Sequence, residues 1–228
     1  MLSKKWQGST VAVTWHDVDD SPTATAGIPT VAVKADITWL TDDLATGGDF
    51  DYNAVIANAQ LRDLLNQQVG VVIDTRIEDD DTAIWAKTPA DYHHIPEDDY
   101  QGNHIDPADF DRAVMIARQA AAQGKKVFVH CHMGINRGPS TAFAILLDRG
   151  WSPAEAFDLV RSKRPIAAVY YAEDALRADL ARRGVATSEA AQIINDFIAH
   201  RDSVFGPKEL AETQHIIRDT HIARGDFF

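Results

Sequence analysis

The sequence predicts an α/β fold in which a central, mostly parallel sheet is flanked by helices and followed by a C-terminal helical extension. Three observations predict it. Short apolar runs of strand composition, Val71-Val72-Ile73 and Val127-Phe128-Val129, alternate with longer stretches of helical periodicity. Each run is apolar at every position, which suits a parallel strand covered on both faces. Gly70, Gly124 and Gly150 fall where one kind of element gives way to the next.

The elements follow in order. Thr10 to Trp15 and Thr30 to Val33 alternate like edge strands around a Pro/Gly/Asp-rich turn region. Between Tyr52 and Gln68 the apolar positions Val55, Ile56, Ala59, Leu61, Leu64 and Leu65 recur at helical spacing, a helix feeding the strand at Val71. Ala83 to Ala86 reads as a further strand. Asp106-Pro107-Ala108-Asp109 is a helix start, with Asp106 as N-cap and Pro107 in the first turn, and that helix runs to about Gln123. After the strand at Val127, Pro139 to Leu147 is helical. Ser152-Pro153-Ala154-Glu155 carries a capping box for a helix to about Lys163, and another helix covers about Ala172 to Arg183. Beyond Gly184 two amphipathic helices are expected, one with a stripe of Ile193, Ile194, Phe197 and Ile198, the other starting near Pro207 with Leu210 and Ile217.

With 228 residues, 45% apolar and 25% charged, the chain has the proportions of a folded globular protein. A formal net charge of -12 argues against nucleic acid as a partner. No stretch reaches the ~20 apolar residues of a membrane-spanning helix, so a cytoplasmic protein without a membrane partner is the expectation. One cysteine, Cys131, allows no intramolecular disulfide and no multi-cysteine metal site. The paired histidines, His93-His94 and His130/His132, lack the spacing of a helical metal site, so neither metal nor cofactor is expected.

Cys131 sits at the end of a buried strand and opens the segment His130-Cys131-His132-Met133-Gly134-Ile135-Asn136-Arg137, followed by Gly138 and a helix. A loop of this length between strand and helix N-terminus can turn its backbone N–H groups inward and bind an anion, helped by the helix dipole. Arg137 can return its planar fork to the same anion. A thiol beside a helix N-terminus and a cation ionises more readily than a free one and becomes a nucleophile. Gly134 suits a tight turn or a close approach, while His132, Met133 and Ile135 are expected to lend backbone donors and to form the rim with their side chains.

These residues resemble the signature of the protein-tyrosine-phosphatase superfamily, specifically its small dual-specificity branch, His-Cys-x-x-Gly-x-x-Arg-Ser/Thr. The resemblance covers about residues 36–180, and it implies a cysteine phosphatase domain over 1–183 followed by a helical extension, 184–228, packed on that domain or used for homo-oligomer association. It further implies that Cys131 is the nucleophile and Arg137 the phosphate-binding residue. The family's general acid is an aspartate about thirty residues before the cysteine, after a Tyr-x-x-Ile strand. Tyr92-His93-His94-Ile95 matches that strand, which points to Asp99 and, as its neighbouring alternative, Asp98. His132, Met133, Gly134, Ile135, Asn136 and Gly138 would line the substrate. The implied activity is hydrolysis of phosphate monoesters, on phosphotyrosine in proteins and then phosphoserine or phosphothreonine, or on a small phosphomonoester. Gly138 departs from the family, which has a hydroxyl there to assist the cysteine as leaving group. Two alternatives stand beside this reading: a slow or inactive phosphate-binding module, and a lipid or inositol-phosphate phosphatase. The latter is set back by the absence of lysine from His132 to Asn136.

Overall fold

The computed structural model describes residues 33–100 and 102–206. Five strands, β1 (Ile37–Trp39), β2 (Leu44–Gly47), β3 (Val69–Arg76), β4 (Asp91–Glu97) and β5 (Lys126–His130), form one sheet in the order β1-β2-β5-β3-β4. β1 pairs antiparallel with β2; the other three pairings are parallel. Seven helices accompany them: α1 (Ala54–Asn66), α2 (Thr82–Trp85), α3 (Pro107–Ala122), α4 (Arg137–Asp148), α5 (Pro153–Lys163), α6 (Ala172–Arg182) and α7 (Thr187–Val204). This is the expected α/β architecture with helices on both faces of the sheet.

Alternation along the strands sorts the two faces. Leu44, Val71, Ile73, Val127 and Val129 point into a large core built with α3 to α7. Their neighbours Ala45, Val72 and Phe128 face a smaller core with Leu64 of α1 and Trp85 of α2. Both sets are apolar because both faces are covered. Two helix starts are held by the residues that predict them, Asp106 and the Ser152/Glu155 pair, and a third by Asn53, which the sequence reading did not single out. Asn53 accepts from the amides of Val55 and Ile56, Asp106 from that of Ala108, and Ser152 and Glu155 form a reciprocal capping box.

The structure corrects the reading of residues 83–86, which form the short helix α2 rather than a strand. Asp80 Oδ1 accepts from both the amide and the hydroxyl of Thr82, which closes a turn, and Trp85 then swings into the smaller core at 1% exposure. β1 and β2 were not foreseen. The expected segments 10–15, 30–32 and the helix from Pro207 lie outside the described residues. α7 packs against α5 and α6, with Ile194 and Phe197 buried in the large core. Among the described residues, no helix is long and apolar enough to cross a membrane.

At the C-terminal end of β3 the sheet carries buried charge. Arg76, 1% exposed, donates to Asp74 and Asp81 at 2.7 and 2.6 Å and pairs with Asp49. Tyr92 donates to Asp74 at 2.8 Å and accepts the Asp81 amide. Burial pushes Asp74 upward, but His130 and the Arg76 guanidinium outweigh it and hold the carboxyl down to about 2. A single guanidinium thus balances three carboxylates. Replacing it by a neutral side chain (Arg76→Leu) strands them in the interior and is expected to cost about 3–5 kcal/mol, read as a lower urea midpoint.

Candidate active site

β5 delivers His130 and then Cys131, which is 2% exposed, at the mouth of a loop that ends at α4. The loop's shape is set from outside, because nearly every carbonyl on it is taken by a donor from elsewhere in the chain. Thr75 Oγ1 donates to the His130 carbonyl at 3.0 Å and the Asp49 amide to that of His132 at 3.0 Å. Arg164 reaches two more, the Met133 carbonyl from Nη2 at 3.1 Å and the Gly134 carbonyl from Nε at 2.5 Å. The Ala168 amide takes the Ile135 carbonyl at 2.7 Å. In a planar trans peptide the N–H points opposite to the C=O. Pinning the carbonyls of 132–135 outward therefore turns the amides of 133–136 inward.

Gly134 has no substitute in this geometry. Its φ is +61°, and a Cβ there would sit 2.4 Å from the Gly47 backbone carbon. Gly138 is tight for a different reason, since a Cβ would lie 3.1 Å from the backbone of His130 and Cys131. α4 starts without a side-chain cap: Asn136, its N-cap residue, spends its side chain elsewhere. The open amides of the first turn and the positive end of the helix are left facing the loop.

Arg137, 3% exposed, is fixed by Glu78, whose carboxylate takes Nη1 and Nη2 at 2.7 and 2.6 Å, and by the Glu97 carbonyl on Nη1 at 2.9 Å. Burial disfavours its charge, yet Glu78, Cys131 and Asp99 together hold its pKa above the ordinary arginine value. Nε has no hydrogen-bond partner among the described residues, although Asp99 Oδ2 lies 3.3 Å away. Nε is thus the one guanidinium nitrogen left without a hydrogen bond among the described residues.

Asp99 follows β4 by two residues and reaches the loop: its Oδ1 accepts Asn136 Nδ2 at 2.7 Å and the Tyr171 hydroxyl at 2.9 Å. Asp98 is exposed, and its carboxylate accepts the Asp99 amide. Cys131, Arg137 and Asp99 are thereby tied to one loop. The side chains of Met133 and Ile135 do not form a solvent rim as expected. At 8% and 4% exposure they pack behind the loop with Ala168, Ile166 and Phe205, because the loop's inner face is backbone and the side chains must turn outward to the protein. His132 Nδ1 lies 3.6 Å from Asp49. Ser140 accepts the Tyr171 amide at 3.3 Å, and the Thr141 hydroxyl is buried without a partner among the described residues.

Sequence reasoning missed Glu78, Arg164, Asp49 and Tyr171. Among the described residues one cluster has the geometry of a metal site, Asp74, Asp81 and His130, whose ligand atoms lie within 4.8 Å of one another. The Arg76 guanidinium already bonds both carboxylates, so an ion would have to displace it.

A family model, the dual specificity phosphatase catalytic domain, matches residues 52–170, and the chain belongs to that family. It is a cysteine-based phosphatase. Solved structures share its fold. Human DUSP28 is 18% identical with a TM-score of 0.54, covering 65% of this chain and 95% of that one. A mouse putative dual specificity phosphatase complexed with zinc tungstate is 19% identical with a TM-score of 0.53, covering 76% and 96%. PTPMT1 in complex with PI(5)P is 19% identical with a TM-score of 0.53, covering 72% and 97%. Among curated proteins, none matches the chain.

Glu97, at the end of β4, is 6% exposed, and neither carboxyl oxygen has a hydrogen-bond partner among the described residues. Burial first, then the charges of Asp109 and Asp99, push its pKa up to about 9 against the pull of Arg137. The raised value means that its proton stabilises the fold fully below about pH 4.5, and that this stability is lost as pH climbs toward 9. Unfolding free energies from urea titrations at pH 5, 7 and 8.5 should therefore fall by at most about 1.4 kcal/mol per pH unit on this group's account. Glu97→Gln is expected to flatten that decline.

Proposed function

We propose that the chain hydrolyses phosphate monoesters on proteins, phosphotyrosine first and phosphoserine or phosphothreonine as well, through a phosphocysteine on Cys131. The observation that carries this reading is the loop whose carbonyls are bonded outward from 130 to 135 except at Cys131 itself, with Arg137 and Asp99 brought to it. Its amides and the Arg137 edge hold the phosphoryl oxygens, an arrangement that favours the charge spread over them in the transition state. The Cys131 thiolate attacks phosphorus, the P–O bond to the substrate breaks, and Asp99 gives its proton to the departing oxygen. Water then attacks phosphorus, Asp99 takes its proton, and the S–P bond breaks to return the thiolate with phosphate.

Two features set a multiply phosphorylated lipid head group behind a phosphoprotein. Residues 132–136 hold no lysine, and the loops that touch the site expose Asp79, Asp80 and Asp98. A polyanion would meet repulsion there. An inactive binding module would have no use for an aspartate tied to the loop beside the arginine.

The reading is tested by phosphate release from phosphopeptides, phosphoinositides and an aryl phosphate. Cys131→Ser is expected to abolish turnover. Asp99→Asn should reduce it by about 10²- to 10⁴-fold. Activity retained by Cys131→Ser excludes the mechanism. Gly138 offers no hydroxyl to the sulfur in the second step, and Ser140 is engaged by Tyr171. Rapid-quench kinetics on an aryl phosphate should therefore show a burst of phenol followed by slower turnover; a linear trace from the first turnover counts against a slow second step.

A further inference from the structure

Residues 167–171, between α5 and α6, run across the loop like a strap and bond it at each step. The amides of Ala168 and Val169 both point to the Ile135 carbonyl, at 2.7 and 3.4 Å. Tyr170 donates its amide to Asn136 Oδ1 at 2.7 Å, and Tyr171 donates its amide to Ser140 Oγ at 3.3 Å. Val169 accepts a φ of +53°, a region that β-branched residues avoid, and is fully buried. The strap's direction is thus held by its surroundings rather than by its own preference. It ends by placing the Tyr171 hydroxyl 2.9 Å from Asp99 Oδ1, the same oxygen that takes Asn136 Nδ2 at 2.7 Å.

We propose that Tyr171, acting with Asn136, is a positioning residue that reserves Oδ1 of Asp99 as an acceptor and so directs the transferable proton to Oδ2, beside the phosphate-facing edge of Arg137. This rests on the reading of Asp99 as proton donor. A carboxyl oxygen that already accepts two hydrogen bonds is the poorer site for a proton, and the other oxygen, 3.3 Å from Arg137 Nε, is the one beside the phosphoryl position. Tyr171 stays a donor throughout the working range. Its burial, followed by the Asp99 charge and hydrogen bond, holds the phenol well above its ordinary value. The titratable groups around Asp99 are Tyr171 and Tyr170 on the strap, Arg137 on α4 and Glu97 on β4; Glu78 and Cys131 act through Arg137. The Tyr171 ring belongs to the large core and is 5% exposed, so Tyr171→Phe keeps the packing and removes only the hydroxyl.

The experiment uses the full chain with two aryl phosphates, one releasing phenol and one releasing a strongly acidic nitrophenol that leaves without protonation. For Tyr171→Phe, kcat/KM on phenyl phosphate is expected to fall about 10-fold, since bonds to a charged group are worth about one order of magnitude, while the nitrophenyl ester changes less than about 2-fold. On an Asp99→Asn background Tyr171→Phe should add nothing further. Equal losses on both esters would mark Tyr171 as structural and overturn the proposal. So would an unchanged rate of Tyr171→Phe on phenyl phosphate in a protein that Asp99→Asn impairs, although the reading of Asp99 would then survive. Unimpaired phenyl phosphate hydrolysis by Asp99→Asn would remove Asp99 as the acid, and this inference with it.

Discussion

The structure of the site depends on one constraint: the carbonyls of the loop after β5 are bonded from outside, leaving its amides nowhere to point but in. The donors come from three separate stretches of the chain, at Asp49, at Thr75, and at Arg164, Ala168 and Val169. Arg164 does most, and it is itself braced by Asp36 next to β1, at 2.8 and 2.7 Å. A loop determined at so many points cannot relax when an anion arrives or leaves, so little binding energy is spent on ordering it. Gly134 is the position that lets the backbone reach Gly47 closely enough for the arrangement to close.

Charge is managed with the same economy. The chain carries a formal charge of -12, yet its catalytic-site candidate must welcome a phosphate dianion. Part of the solution is Arg76, which pairs with Asp49, Asp74 and Asp81 behind the loop and offsets part of their charge. Part is Glu97, whose buried carboxyl keeps its proton at neutral pH and so adds no negative charge next to Arg137. Glu78, which like Asp99 lies in direct reach of Arg137, is occupied in steering the guanidinium.

Much of this was legible in advance. The Cys131-to-Arg137 spacing, the buried strand before it and the capped helices around it are local patterns, and each sits where periodicity and capping chemistry place it. β1 and β2 were not legible, because three and four residues such as Leu-Ala-Thr-Gly carry too little periodicity to declare a strand; only the pairing of β2 with β5, and of β1 with β2, makes them strands. α2 was misread for a related reason: four residues fit either period, and the Asp80 turn decided the matter. Glu78, Arg164 and Tyr171 act through contacts across 59, 30 and 72 positions, which leave no trace in the neighbouring residues.

The end of α7 gives the C-terminal region a stake in the chemistry. Phe205 lies under the Arg161 guanidinium, 4.4 Å from it, edge-on to Tyr170, and against the apolar cluster of Met133 and Ile135. The helix therefore shores up the rear wall of the anion cradle as well as filling the core. Whatever tugs on that helix, whether a fused tag, a docked protein or a nearby cut, would be transmitted to the surroundings of Cys131 mechanically, through the cluster of Met133 and Ile135.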